Sequence, residues 1–210
     1  MNENLNTVTM SHEHSHIDKI GAKMGMWLFL FTEVLLFGGL FLAYALYRYQ
    51  YSIDFHIAGM ELNTLIGTFN TIILLTSSLT MALSIAFIQK GNKLLSILFL
   101  ISTILLALIF LVNKYFEWTA KFEHGIYPGS NELLNRPNGQ ILFFGLYYVM
   151  TGLHALHVII GIIILSFMLF FLIRNKITKD NNIKLENSGL YWHLVDLIWI
   201  FLFPLFYLIQ

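Results

Sequence analysis

Five long apolar stretches separated by shorter polar segments dominate the chain. Each is long enough to cross a hydrocarbon core, for which an α-helix needs about 20 residues. None shows the strict alternation of apolar and polar positions that a transmembrane β-strand requires. The pattern predicts an all-α fold, an integral membrane five-helix transmembrane bundle, with helices near residues 24–47, 65–88, 94–112, 141–173 and 190–209.

The segment before the first apolar stretch is polar. We expect residues 1–20 to form a mobile cytoplasmic tail and residues 21–210 to form a single domain. No cleavable signal peptide is expected, because the first apolar stretch is long enough to span the bilayer. The tail contains His12, His14 and His16 in alternation, a pattern open to weak binding of a divalent metal, although an incidental solvated run is favoured.

Composition narrows the class of protein. Of the 210 residues, 57% are hydrophobic and 11% are charged, whereas a soluble domain is about a quarter charged. The formal net charge is zero and no run of like charge occurs, so nothing indicates nucleic-acid binding. The absence of cysteine excludes disulfides, thiolate metal sites and covalently attached c-type haem.

The distribution of basic residues between loops predicts the orientation. Cytoplasmic loops of membrane proteins are enriched in lysine and arginine. Eight lysine and arginine residues lie on the side of the membrane that contains the N-terminus, and four lie on the other side. This difference favours a cytoplasmic N-terminus and a C-terminus outside. The first set is Lys19, Lys23, Lys90, Lys93, Arg174, Lys176, Lys179 and Lys184, and the second is Arg48, Lys114, Lys121 and Arg136.

Five ionisable residues lie inside the apolar stretches and are the candidate functional residues: Glu33, His154, His157, His193 and Asp196. A charged group in the bilayer centre costs about 2.5–3.5 kcal/mol on insertion scales, so such residues usually face the bundle interior and carry a function. For Glu33 we favour a carboxyl hydrogen-bonded within the bundle over a proton-linked group.

The two histidine-containing pairs each have helical i,i+3 spacing. His154 and His157 share a helix face, but a metal site needs further ligands, so interhelical hydrogen bonding is favoured over metal ligation. His193 and Asp196 are interpreted as an internal pair, or as a polar cluster near a site of proton entry. Beyond the third predicted helix, an interfacial ion pair is expected between Lys114 and Glu117, with little effect on stability.

Three segments carry a family resemblance. They are WLFLFTEVLLF (Trp27–Phe37), TGLHALHVIIG (Thr151–Gly161) and YWHLVDLIWIFLF (Tyr191–Phe203). In order, spacing and context they resemble subunit III of the haem–copper respiratory oxidases, in the five-helix bacterial form of cytochrome c oxidase subunit 3. The resemblance extends from about Gly21 to the end of the sequence.

The resemblance implies a non-catalytic subunit of an oxidoreductase complex in the bacterial inner (plasma) membrane. Such a subunit has no catalytic, cofactor-binding or metal-binding residues of its own. Haem and copper belong to partner subunits, and phospholipid binds between the helices. The implied partners are subunit I through direct helix packing, subunit II and other respiratory complexes. Supported functions are assembly, proton uptake and active-site stability of subunit I during dioxygen reduction.

Other functions remain open from the sequence. Within the resemblance, the chain is interpreted either as a cytochrome c oxidase subunit, which we favour, or as a subunit of a quinol oxidase or a nitric-oxide-reductase-associated homologue. In a different class, a small proton-coupled transporter would use Glu33 and the histidines as a relay. Against it, the sequence lacks paired halves with interrupted helices in corresponding positions.

Overall fold

The computed structural model describes residues 2–179 and 181–208, with side chains from residue 21 onward. Within these ranges the chain is helical and contains no β-strand, only an isolated bridge between Thr178 and Asn181. The elements are α1 (Asn2–Gln50), α2 (Ser52–Met60), α3 (Thr64–Gln89), α4 (Lys93–Glu123), α5 (Asn131–Leu134), α6 (Asn138–Ile173), α7 (Ile183–Phe203) and a C-terminal π-helical turn (Pro204–Leu208).

Five helical segments are long and apolar enough to cross a membrane, which confirms the predicted all-α membrane architecture. The chain is therefore a multi-pass membrane protein. The five segments are Gly21–Gln50, Thr64–Gln89, Lys93–Glu123, Asn138–Ile173 and Ile183–Leu208.

Apart from the helical backbone that precedes residue 24 in α1, the helix ends differ clearly from the predicted ones in two places. The predicted third helix ended at residue 112, but α4 continues to Glu123. The predicted fifth helix began at residue 190, but α7 begins at Ile183. In both cases polar residues continue the helix. The mobility expected for residues 1–20 stays a prediction. The metal binding considered for His12, His14 and His16 concerns side chains outside those described.

The chain divides into two compact units, residues 1–36 and 37–210. In the second unit, α3 packs against α4 and α7, and α6 packs against both α4 and α7. The short helix α2 packs against α6 and the π-helical turn. The core of this unit is rich in aromatic side chains, and its largest fully buried residues include Trp192, Trp199, Tyr147 and Phe110.

Small residues let neighbouring helices approach closely. A Cβ atom placed on Gly161 of α6 would lie 2.7 Å from Cζ3 of Trp192 on α7. The Trp192 indole N–H in turn donates to Ser77 Oγ of α3 at 3.0 Å. Gly161 and Ser77 therefore fix Trp192 between three helices.

Proline defines the end of α7. Pro204 has no backbone N–H, so the regular hydrogen-bond pattern of α7 cannot continue through it. The π-helical turn that follows is attached to α1, because the Tyr44 hydroxyl donates to the Leu205 carbonyl at 2.5 Å. This attachment brings Tyr207 into the interior, where it is almost fully buried.

Candidate functional site

A buried ion pair lies inside the second unit. Lys114 and Glu117 are one turn apart on α4, and Lys114 Nζ lies 3.1 Å from Glu117 Oε2. Each side chain is only 4% exposed. The sequence predicted an interfacial pair beyond the third helix, but α4 continues through both residues, and α6 and the π-helical turn enclose them. The depth of the pair in the membrane stays a prediction.

Two tyrosines complete the pair. Tyr147 of α6 and Tyr207 of the π-helical turn donate to Glu117 Oε1 at 2.7 and 2.5 Å. Lys114 Nζ also donates to the hydroxyls of Tyr147 and Tyr207, at 3.2 and 2.8 Å. We call Lys114, Glu117, Tyr147 and Tyr207 the buried tetrad. An ammonium has three donors, so Lys114 is fully hydrogen-bonded.

Aromatic faces surround the lysine. Its Nζ lies 5.0 Å from the ring centroid of Tyr147, 5.1 Å from that of Trp199 and 5.4 Å from that of Tyr207. A cation over an aromatic face is stabilised by the ring quadrupole, more strongly where water is excluded. The tetrad thus stabilises the charge of Lys114 in the interior and joins α4, α6 and the C-terminal turn.

His154 has a different environment from the tetrad. Its side chain is 0% exposed, and its ring packs edge-on against Phe110 and beside Trp199, with centroid distances of 5.6 and 5.2 Å. Neither ring nitrogen has a hydrogen-bond partner among the residues whose side chains are described. The interhelical hydrogen bond expected for His154 is therefore not formed within this part of the chain, because its neighbours in α4 and α7 are aromatic.

His157 lies one turn further along α6 and is also buried. Its Nδ1 lies 2.8 Å from the Leu153 carbonyl of the same helix. The Tyr191 hydroxyl donates to the His157 carbonyl at 3.0 Å, which links α7 to α6. The described residues contain no group of three or more histidine, cysteine, aspartate or glutamate side chains suited to hold a metal ion.

His193 and Asp196 do not form the hydrogen-bonded pair that their spacing suggested. His193 Nδ1 lies 2.7 Å from Ser78 Oγ, because α3 packs against this part of α7 and places a hydroxyl beside the imidazole. Asp196 is buried, and neither of its carboxyl oxygens has a hydrogen-bond partner among the described residues, although Ser78 lies near.

Glu33 lies in α1, within the unit formed by residues 1–36, and its side chain is partly exposed. Its role in an internal polar network stays a prediction. The roles of the other candidate residues as a functional unit also stay predictions.

Sequence reasoning missed Tyr147, Tyr207 and the buried position of Lys121. The one usable signal was the i,i+3 spacing of Lys114 and Glu117, which is compatible with a continuing helix. The tyrosines gave no signal, because they lie 30 and 90 positions from Glu117 in the chain.

The tetrad and the candidate residues His154 and Asp196 differ in how many of their hydrogen-bond donors and acceptors are used. Lys114 uses all three of its donors within the tetrad, and Glu117 accepts three hydrogen bonds there. The imidazole of His154 and the carboxyl of Asp196 retain unused donors and acceptors in the interior. Buried polar atoms without a partner are rare, and each needs a structural or functional explanation.

Comparison with known proteins identifies the family. Residues 3–210 match the family model described as cytochrome c oxidase subunit III. The chain is 31% identical over 209 residues to the probable quinol oxidase subunit 3 of Staphylococcus saprophyticus, covering 95% of this chain and 97% of that protein. It is 30% identical over 203 residues to cytochrome c oxidase subunit 3 of Thermostichus vulcanus, covering 96% and 93%.

A third relative is a longer protein. The chain is 30% identical over 203 residues to the haem-copper oxidase subunit I+III of Aeropyrum pernix, covering 94% of this chain but only 24% of that protein. The chain thus spans about a quarter of that relative, but nearly the full length of the two separate subunit 3 proteins. With a match along almost all its residues, this chain belongs to the cytochrome c oxidase subunit III family.

Proposed function

We propose that this chain is subunit III of a bacterial haem–copper terminal oxidase and supports subunit I without carrying redox centres. Its contribution is to assembly, proton uptake and active-site stability while the complex reduces dioxygen. The observation that carries the proposal is the family match over residues 3–210, together with the near full-length coverage of the Staphylococcus saprophyticus and Thermostichus vulcanus subunit 3 proteins.

Subunit I is the proposed direct partner. The Aeropyrum pernix relative is named as subunits I and III in one protein, and its matching part corresponds to this chain. Covalent fusion of two chains is compatible with a permanent contact between them. We propose that the same contact forms here between separate chains through helix packing. Subunit II and other respiratory complexes are proposed as further members of the assembly.

Haem and copper are proposed to lie in the partner subunits. Copper and haem need histidine, methionine or thiolate ligands in a defined arrangement. This chain has no cysteine, and His154 is enclosed by Phe110 and Trp199 rather than by further ligands. The described residues do not fit either group, so no redox step is assigned to them.

The proposed orientation has the N-terminus in the cytoplasm and the C-terminus outside the inner membrane. Lys114 and Lys121 lie inside α4 and are buried, so neither adds charge to a loop. Their removal from the loop count increases the excess of basic residues on the proposed cytoplasmic side.

Phospholipid between the helices is proposed from the family resemblance.

The first test is a mild-detergent purification through an affinity tag on this chain. We expect haem absorption bands to travel with a larger many-helix partner and to be absent from this chain after it is separated from that partner. Purification from a strain lacking the partner is the control. A colourless preparation containing this chain alone would contradict the proposal and would favour the transporter hypothesis.

The electron donor is tested on the same preparation. Relatives are named as both cytochrome c and quinol oxidase subunits, and we favour cytochrome c. Oxygen consumption should be supported by reduced cytochrome c and not by a reduced quinol. The opposite result would assign the complex to the quinol oxidases and leave the subunit III assignment intact.

A further inference from the structure

His193 of α7 places a polar atom on the outside of the described helices. Its Nδ1 lies 2.7 Å from Ser78 Oγ of α3, so one ring nitrogen has a partner. The side chain is only partly buried, and its Nε2 makes no hydrogen bond to a described residue. Since Nε2 is also not one of the buried atoms that lack a partner, it is accessible from outside the bundle.

The surface around this imidazole is apolar. On α7, Leu197 and Ile200 follow His193 at one and two turns and are 46% and 40% exposed. On α3, Leu75 and Ala82 lie one turn to either side of the serine, and both are exposed. We call these five residues the α3–α7 face: Leu75, Ala82, His193, Leu197 and Ile200.

The polar ends of α3 and α7 indicate the level of His193. Gln89 Nε2 donates to Glu186 Oε1 at 3.0 Å, where both helices carry exposed polar residues. His193 is seven residues from Glu186, about 10 Å along α7, and Ser78 is eleven residues from Gln89, about 16 Å along α3. A headgroup layer is about 5–8 Å thick on each side of the hydrocarbon core. We therefore expect the imidazole to lie within the hydrocarbon.

Lipid does not supply a hydrogen-bond partner at that level. Acyl chains have no donor or acceptor, and an unsatisfied polar group in hydrocarbon is costly. Intramembrane ionisable side chains accordingly pair with other polar groups rather than face lipid. Hydroxyl and carboxamide side chains form hydrogen bonds between membrane helices. They fit either tautomer of an imidazole, because both groups donate and accept.

We propose that the α3–α7 face docks a transmembrane helix of a partner chain, and that a hydroxyl or carboxamide side chain of that helix hydrogen-bonds to His193 Nε2. Ser78 orients the ring so that Nε2 remains outside. Ala82 allows the partner helix to approach closely, because it is small. The inference does not depend on the proposed oxidase function, because it specifies the chemistry of the partner helix and not the complex.

The first test is cross-linking in native membranes, which the absence of cysteine in the chain permits. Leu197→Cys is labelled with benzophenone maleimide and illuminated, and the adducts of the purified chain are mapped by mass spectrometry. Leu105→Cys is the matched control. Leu105 is 54% exposed on α4, half a turn from Thr103, whose hydroxyl contacts that of Thr80 on α3.

We expect Leu197→Cys to react with a transmembrane helix of another chain, within about one turn of a serine, threonine, asparagine or glutamine. Leu105→Cys should not react with that helix. Adducts with lipid alone, adducts with a helix that lacks such a side chain, or equal reaction from both positions would overturn the proposal.

The second test concerns the hydrogen bond. His193→Gln keeps a donor and an acceptor, whereas His193→Leu removes both. Retention of the mapped partner is measured during a detergent titration of the purified complex. We expect His193→Leu to weaken partner binding about tenfold, as for loss of one buried hydrogen bond, and His193→Gln to retain most of it. Leucine at the mapped partner residue should have the same effect, and the two changes together should cost no more than either alone. Additive losses would overturn the proposal.

Ser78→Ala is the control for the internal contact that His193→Leu also removes. This variant keeps Nε2, so it should retain the partner even where its melting temperature falls. Partner loss as large as that of His193→Leu would assign the effect to packing of α3 on α7 and overturn the proposal. If His193→Leu fails to assemble, the cross-linking of Leu197→Cys decides, because that variant keeps His193.

Discussion

Lys114 and Glu117 are tolerated in the interior because each makes three hydrogen bonds to the other members of the tetrad. A buried ion pair gains from mutual attraction only when further hydrogen bonds satisfy its remaining donors and acceptors. Tyr147 and Tyr207 supply those bonds. Loss of one member of the tetrad therefore leaves donors or acceptors of the other members without a hydrogen-bond partner in the interior, which lowers the stability of the fold.

The first prediction compares removal of one charge of the Lys114–Glu117 pair with removal of both charges. Glu117→Leu leaves the Lys114 ammonium buried without its counter-ion and should lower the free energy of unfolding by about 3–5 kcal/mol. The double variant Lys114→Met/Glu117→Leu removes both charges and should be clearly more stable than the single variant. Thermal unfolding in detergent measures both, with Tyr147→Phe as a milder control that costs about 1 kcal/mol. Additive losses in the double variant would contradict this account.

Asp196 carries the second prediction at this scale. Because neither carboxyl oxygen of Asp196 has a hydrogen-bond partner among the described residues, Asp196→Asn should not lower the melting temperature of the complex. Ser78→Ala, which removes the hydroxyl beside His193, should lower it, since the imidazole loses its partner. A melting temperature that falls more for Asp196→Asn than for Ser78→Ala would show that Asp196 has a stabilising contact. Reduced dioxygen turnover at unchanged stability would assign it a functional role.

The sequence indicated which single residues are unusual, but not their partners. Intramembrane charges and histidines are visible because they interrupt apolar stretches. Hydrogen-bond partners are determined by tertiary packing, and Ser78 lies 115 positions from His193. Spacing along one helix therefore suggested a His193–Asp196 pair, whereas the neighbouring helix supplied the actual contact.

The elements were largely predictable because each transmembrane helix is a local property of about 20 apolar residues. The end of α4 was not. Hydropathy evaluates each residue alone, so Lys114, Glu117 and Lys121 resembled a loop. In the folded chain the helix continues, because groups from α6 and the π-helical turn replace the water that those side chains would otherwise need.

The third prediction concerns the contact between α6 and α7. Gly161 and Gly145 are both in α6, but a Cβ on Gly161 would meet the Trp192 ring at 2.7 Å, whereas one on Gly145 would have no atom within 4 Å. Gly161→Ala should lower the free energy of unfolding by about 1–3 kcal/mol through overpacking. Gly145→Ala should raise it by about 0.5–1 kcal/mol, because alanine favours a helix. Equal effects in thermal unfolding would refute a specific role for the Gly161 contact.

For the whole molecule, the number of membrane crossings followed from the sequence, and the arrangement of the helices did not. Helix count depends on local hydropathy, whereas packing depends on which small and polar residues meet. In this chain Gly161, Ser77 and the tetrad determine that α3, α4, α6 and α7 contact one another.

The fourth prediction tests the proposed topology. The chain has no cysteine, so one introduced thiol reports on a single position. Pro128→Cys, between α4 and α5, should react with a membrane-impermeant maleimide in intact cells. Lys176→Cys, between α6 and α7, should react only after the cells are permeabilised. Labelling of Lys176→Cys in intact cells, and of Pro128→Cys only after permeabilisation, would contradict the proposed orientation and indicate the opposite one.

The buried tetrad has a consequence for biosynthesis. Tyr207 is synthesised 90 residues after Glu117, so α4 enters the bilayer before its last hydrogen-bond donor exists. During that interval Lys114 and Glu117 can neutralise each other, because they lie one turn apart on the same helix. Insertion of α4 therefore depends on an early local pair, and its final stability depends on a late distant tyrosine.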